Sequence, residues 1–262
     1  MSIDEAAVGP VRNATDRAPT TWDAGRSPGS LIVAWQHPKN RLIAPVGLLE
    51  HGLDLGYRFR YLRRGPEVEG FLPFLSFPEW QQTYTSKHLF PLFSQRIMSP
   101  RRPDFSQFLH QLHLDENATP WEQLARSEGR RTGDTVQVFP IPAVQSDGST
   151  TCRLLVHGIR HVTGGRLPTL DPGEELELRA DPTNRINPDA VLVCTRGGEQ
   201  LGYLPDLLLE HLHALQSAGS VTLTVEHVNG PEAPAHLRLL ARLDGRAPTG
   251  YEPMSSPCWQ TY

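Results

Sequence analysis

The sequence predicts an α+β protein built from two small β-rich domains. Three observations lead to that class. The 262 residues include 22 glycines and 24 prolines, roughly 18% of the chain against a usual total of about 12%, which implies many turns and short elements. Strand-type runs recur along both halves, while helix periodicity is confined to a few segments. Pro140, Pro142 and then Gln145-Ser146-Asp147-Gly148-Ser149 form a turn-rich stretch suited to a linker. The expected organisation is a flexible tail over 1–30, a domain over 31–141, a linker over 142–150, a second domain over 151–244 and a C-terminal tail over 245–262.

Residues 1–30 mix Gly, Pro, Ala, Asp and Arg without an apolar period, the composition of a segment with no core to bury. Structure begins at Leu31-Ile32-Val33-Ala34-Trp35, an apolar β-type run, and strands are expected next over 44–49 and 56–62. In the second of these Tyr57, Phe59 and Tyr61 alternate with Arg58 and Arg60, which predicts one aromatic and one basic face. After Pro103 the residues Phe105, Phe108, Leu109 and Leu112 recur at helical spacing. Thr119-Pro120-Trp121-Glu122 announces another helix: Thr119 as cap, Pro120 in the first helical position, and Glu122 three residues on to complete a capping box. A strand over 135–139 leads into the linker. Beyond it, 153–159 is apolar, 175–179 alternates, 190–194 is a short buried run, and 200–204 enters a helix over 206–218 through Pro205. Strands over 221–227 and 236–243 close this half, and the Gly-, Pro- and Ser-rich residues after Asp244 are expected to pack loosely.

Composition narrows the function. No window of about 20 apolar residues exists, as a membrane-spanning helix requires, and MSIDEAAVGP lacks the basic and apolar regions of a signal peptide. A cytoplasmic protein is expected, with Cys152, Cys194 and Cys258 as reduced thiols outside any zinc or redox spacing. The histidine pairs His110/His113 and His211/His213 lack the spacing of a zinc-protease motif, and His157/His161 lacks its carboxylate. Neither a nucleophile elbow nor a phosphate-binding glycine loop occurs. The expectation is a protein that is not an enzyme and carries neither cofactor nor metal.

The second half carries a series of short motifs. Gly158-Ile159-Arg160-His161 ends its first strand. A run from Leu178-Arg179-Ala180-Asp181-Pro182-Thr183-Asn184 through Arg185-Ile186-Asn187-Pro188-Asp189-Ala190-Val191 makes a turn, and Gly202-Tyr203-Leu204-Pro205 leads into the leucine-bearing helix. Asp, Asn and Pro hydrogen-bond or preset their own backbone, so such a turn is ordered without a helix or sheet. Over about 152–244 this order resembles the HIRAN domain, with its G-[IL]-R-Y opening, its R-D-P-x-N-x-x-D-x-N-A-[IV] turn and its G-Y-[VL]-P helix entry. Here the turn's Asp and Asn stand exchanged as Asn187 and Asp189, and His161-Val162 replaces an aromatic pair. The resemblance implies a small β-barrel with helices that binds single-stranded DNA at a free 3′ end. It assigns a phosphate to Arg160, base stacking to His161, sugar or terminal-hydroxyl contacts to Asn184 with Asn187 or Asp189, and a place in the same site to Tyr203. Residues 151–262 hold nine arginines and no lysine against thirteen acidic residues, a poor balance for a general phosphate-binding surface.

Val46-Gly47-Leu48-Leu49, Tyr57-Arg58-Phe59-Arg60-Tyr61 and Pro73-Phe74-Leu75-Ser76-Phe77-Pro78 resemble the N-terminal subdomain of HipA-type kinases. The catalytic part of such a kinase is missing, so the resemblance implies docking of a separate kinase chain. Arg58, Arg60, Arg63 and Arg64, interleaved with aromatics, offer a second nucleic-acid or partner face. The expected function is a non-catalytic sensor or adaptor for a single-stranded DNA end. It would dock a HipA-type kinase, nuclease or helicase in a toxin–antitoxin or phage-defence setting. The alternative is a purely protein-binding module, a regulator of a HipA-type kinase.

Overall fold

The computed structural model describes residues 29–52, 56–131, 133–219 and 221–262, so the tail reading for 1–30 falls almost wholly outside the described residues. The described chain is mostly β with short helices. Its first sheet collects β1 (Ser30–Gln36), β2 (Ile43–Gly52), β3 (Gly56–Tyr61), β4 (Tyr84–Ser86) and, after three short helices, β5 (Val136–Pro140), in the antiparallel order β4-β3-β2-β1-β5. Those helices are α1 (Pro91–Ser94), α2 (Phe105–Gln111) and α3 (Pro120–Arg126). The capping box at α3 is formed in full: the Thr119 side chain accepts from the Glu122 N–H, and Glu122 accepts from the Thr119 N–H at 2.7 Å.

The second sheet contains β6 (Ser149–Leu155), β7 (Glu175–Ala180), β8 (Val191–Thr195), β9 (Gln200–Tyr203), β10 (Val221–Val228) and β11 (Leu239–Arg246), ordered β6-β11-β10-β7-β8-β9 and antiparallel throughout. It is curled into a half-barrel. Its two edges meet at a single bridge, where His157 and Tyr203 exchange backbone hydrogen bonds of 2.9 and 2.8 Å just past the end of β6. A one-turn helix α4 (Ile159–Val162) follows that bridge, and a 3₁₀ turn over Asp206–Leu208 runs into α5 (Leu209–Ala218), whose Leu209, Leu212 and Leu215 are buried. Among the described residues no helix is long and apolar enough to cross a membrane.

Alternation sorts the core. In β3, Phe59 and Tyr61 are fully buried in an aromatic cluster with Phe71, Phe77 and Phe93. The Tyr61 hydroxyl donates to the Phe77 carbonyl at 2.8 Å and accepts the Phe74 N–H at 2.7 Å, as a buried phenol requires. β1 is buried on both faces. Leu31 and Val33 enter the aromatic cluster, whereas Ile32 and Ala34, with Phe139 of β5, join the core that fills the curled sheet. That two-sided burial explains why β1 reads as a continuous apolar run instead of an alternating one.

The chain after β11 departs from the loose packing expected of it. Ala247 and Met254 are buried, Thr261 bridges Leu62, and the Arg63 N–H donates to the Gln260 carbonyl at 2.8 Å. The Trp259 indole N–H donates to Glu210 of α5 at 2.8 Å. Apolar and ring contacts from this short segment outweigh its Gly-Pro-Ser composition and return the chain to the first sheet.

Candidate functional site

The structure places Arg160 and His161 differently from the strand end the sequence suggests. Gly158 turns the chain in the left-handed region (φ 70°), where a glycine avoids the Cβ penalty. Its carbonyl then accepts from the N–H groups of His161 and Val162 at 2.8 and 3.0 Å to start α4. Ile159 pins the turn into the core at 1% exposure, so Arg160 and His161 on the same turn are exposed. Gly202 makes the sheet edges' approach possible, because a Cβ there would lie 2.3 Å from the His157 carbonyl oxygen.

Opposite α4 lies the loop from Asp181 to Ala190, ordered almost entirely by its own side chains. The Asp181 carboxylate accepts from the Thr183 N–H and hydroxyl at 3.2 and 2.7 Å and from the Tyr203 hydroxyl at 3.0 Å. Those bonds, Thr183 first and Tyr203 second, hold its carboxyl below the ordinary range. The Asn184 side-chain oxygen accepts from the Ile186 and Asn187 N–H groups at 2.9 and 3.1 Å, and the Asn187 amide donates to Asp206 at 3.0 Å. Both asparagines therefore shape the loop. Asp189 donates its N–H to the Asn187 side-chain oxygen and stays outside the cleft, whereas Arg185 projects from the loop exposed.

Between these elements is a cleft of about 1070 Å³ whose walls include Arg160, His161, Tyr203, Asn184 and Asn187, five of the six residues singled out from sequence in the second half. No pattern in the sequence signals that the first half completes it. Arg41, from the turn between β1 and β2, and Arg130, from the loop between α3 and β5, line the same cleft. Its charged walls are four arginines (Arg41, Arg130, Arg160, Arg185) and two aspartates (Asp181, Asp206). The acidic balance of the second half thus does not describe its concave face.

Behind the cleft wall the seam between the halves holds a buried pair. Glu128 lies 2.8 Å from the His157 ring nitrogen Nε2 and is 4% exposed, with φ at 56°. Burial alone would raise its carboxyl, but His157 and Arg130 beside it hold it below the usual range. His236, also on the cleft wall, is pushed down to about 4 by burial and by the Arg130 charge.

The second basic face is mostly spoken for. Arg58 clamps Glu50 through two bonds of 2.8 Å and Arg60 reaches the same carboxylate at 3.1 Å. Arg63 donates to the Thr261 carbonyl at 3.0 Å. Arg64 precedes a 3₁₀ turn and is half-buried. The guanidiniums of Arg58, Arg60 and Arg63 meet protein acceptors, whereas Arg41, Arg160 and Arg185 make no ion pair among the described residues.

Residues 149–246 match the HIRAN domain family. Among solved structures, the chain is similar to the HIRAN domain of human HLTF, at 19% identity and a TM-score of 0.30 over 40% of this chain and 84% of that one. A protein from Lactobacillus plantarum is similar at 21% identity and a TM-score of 0.30, over 38% of this chain and all of that one. No curated protein matches the chain.

Proposed function

We propose that the cleft binds the end of a single-stranded DNA chain and that the protein works as a non-catalytic adaptor. One observation carries this reading. Unpaired Arg160 stands beside His161 and Tyr203 on a concave wall, so a hydrogen-bond donor for a phosphate and rings for a base share one site. An arginine fork pairs with phosphate oxygens, and aromatic or imidazole faces stack on bases. The match of 149–246 to the HIRAN family points the same way. Selection of a terminal 3′-hydroxyl is proposed for the Asp181–Ala190 loop, whose Asn184 and Asn187 line the same cleft.

The adaptor role rests on the first half. Leu72 and Leu75, 78% and 100% exposed on the segment between β3 and β4, give it an apolar contact for a protein partner. Following the HipA-like motifs, the proposed partner is a kinase chain without its own N-terminal subdomain, in a cytoplasmic toxin–antitoxin or phage-defence context.

Fluorescence anisotropy with a short 3′-hydroxyl oligonucleotide tests the DNA reading against the same strand ending in 3′-phosphate. Arg160→Ala is expected to lower affinity at least about tenfold, since a lost charge-assisted contact costs ~1.5–3 kcal/mol. Equal binding to both strands removes the end preference, and undetectable binding to either removes the DNA reading.

A further inference from the structure

The first half contributes two arginines to a cleft that the second half was expected to build alone. Arg41 sits in the turn joining β1 to β2, and that turn is tightly held. The His37 carbonyl accepts from the Arg41 N–H at 3.0 Å, and His37 Nδ1 accepts from the Lys39 and Asn40 N–H groups at 3.1 and 3.2 Å. The Gln36 amide fixes the Arg41 carbonyl at 3.0 Å. Arg41 itself has φ at 65°, a left-handed conformation that costs a non-glycine residue ~1 kcal/mol or more. Glycine would relieve that strain, yet an arginine occupies the position with its side chain exposed and unpaired. A strained, non-glycine backbone at the rim of a cleft is a signature of function.

Arg130 comes from the loop before β5, the strand that flanks β1 on the side away from β2. Its one ion-pair partner among the described residues is Glu128 at 3.9 Å, and Glu128 makes its closer contact, 2.8 Å, with His157. The hold on Arg130 is therefore loose. Glu128 also turns in the left-handed region (φ 56°), followed by Gly129 at 57°, so both first-half loops that supply cations to the cleft contain a non-glycine residue in that conformation. The cleft's volume of about 1070 Å³ is at or above the top of the range for a single drug-sized ligand, leaving room for a chain beyond its terminal nucleotide.

We infer that Arg41 and Arg130 form a second phosphate subsite, which tracks the backbone of the nucleotides leading away from the end held at Arg160. This inference rests on the DNA reading above. It assigns the first half a direct share in ligand binding, through phosphodiester charge and without base recognition. Because the contacts are to phosphates, each adds to the salt dependence of binding, at ~0.7 in the log–log slope per phosphate on a single strand.

The experiment measures binding of the full chain to an eight-nucleotide oligothymidylate with a 3′-hydroxyl across a salt series. It compares the wild type, Arg41→Gln, Arg130→Gln, the double variant and Arg160→Ala, with thermal unfolding of each. The double variant is expected to bind about tenfold more weakly, with a slope shallower by ~1.4 for two lost phosphate contacts. Arg41→Gln, at the exposed turn, is expected to show part of that loss with unchanged melting. Replacing the linkages 5′ of the terminal nucleotide with neutral methylphosphonates should weaken wild-type binding and abolish its difference from the double variant. Should Arg160→Ala lose affinity while both glutamine variants match the wild type in affinity and slope, the second subsite is overturned and the end pocket stands. Absence of wild-type binding overturns both.

Discussion

His211 shows how much a single side chain sets the conditions under which this fold holds. It lies on α5 at 1% exposure, with Nδ1 3.3 Å from the Tyr251 hydroxyl, and Nε2 buried without a hydrogen-bond partner among the described residues. Burial pushes its imidazole down to about 4 from an ordinary 6.5. Between those pH values the unfolded chain binds a proton that the folded chain refuses, so stability falls as pH drops from 6.5 and the loss is complete below about 4. A shift of this size corresponds to ~3 kcal/mol. His236 titrates in the same direction over the same window. Replacing His211 with Phe removes the refused proton and the orphaned nitrogen together. His211→Phe is therefore expected to lower the acid sensitivity of the melting temperature between pH 7 and 4. A variant whose melting temperature falls as steeply as that of the wild type contradicts this account.

At the scale of elements, α4 decides whether the cleft has its phosphate ligand. The turn exists because Gly158 adopts φ 70° and its carbonyl caps the helix, and a Cβ at that position would come 3.1 Å from the Tyr203 ring. Gly158→Ala is expected to destabilise the protein by about 1–2 kcal/mol in denaturant unfolding. It should also weaken oligonucleotide binding, because Arg160 and Tyr203 both shift. Unchanged binding would mean that α4 does not position Arg160. The strands were largely readable from their apolar runs and alternation, and the α3 cap from Thr119 and Glu122. α4 was not, because four residues are too few to display a helical period and follow directly on an apolar strand. Of the cleft, the Asp181–Ala190 loop was visible in its turn chemistry and Arg160 through a family pattern. Arg41 and Arg130 were not visible: each lies in a loop more than twenty-five residues from the others, and only the pairing of β5 with β1 carries Arg130 to that side. The arginines of β3 drew attention by their spacing, but Glu50, across the β2–β3 ladder, binds both of them and offsets one of their two charges.

The two sheets are joined through β1, and this governs how the whole molecule should unfold. Ile32 and Ala34 on one face of β1, with Phe139 of β5, belong to the same core as Leu154, Val156, Leu201 and Leu212 of the second half. Leu31 and Val33 on the other face belong to the aromatic core of the first. The His157–Glu128 pair and the return of residues 257–262 to β3 and its continuation add polar ties. Neither sheet can lose β1 without exposing apolar surface of the other, so a single transition is expected where two linker-joined domains would give two. The chain carries probes for each half. In a Trp22→Phe, Trp259→Phe background, which removes the ring packed against α5, Trp35, Trp80 and Trp121 report on the first half, and the buried thiols Cys152 and Cys194 on the second. Phe139 is 3% exposed where the cores meet, and truncating a buried phenylalanine costs ~3–5 kcal/mol. Phe139→Ala should move tryptophan emission and thiol reactivity to the same lower denaturant midpoint. If the thiols of Phe139→Ala stay protected to the wild-type midpoint while the tryptophans become exposed early, the halves are independent, and the arginines of the first reach the cleft only as neighbours.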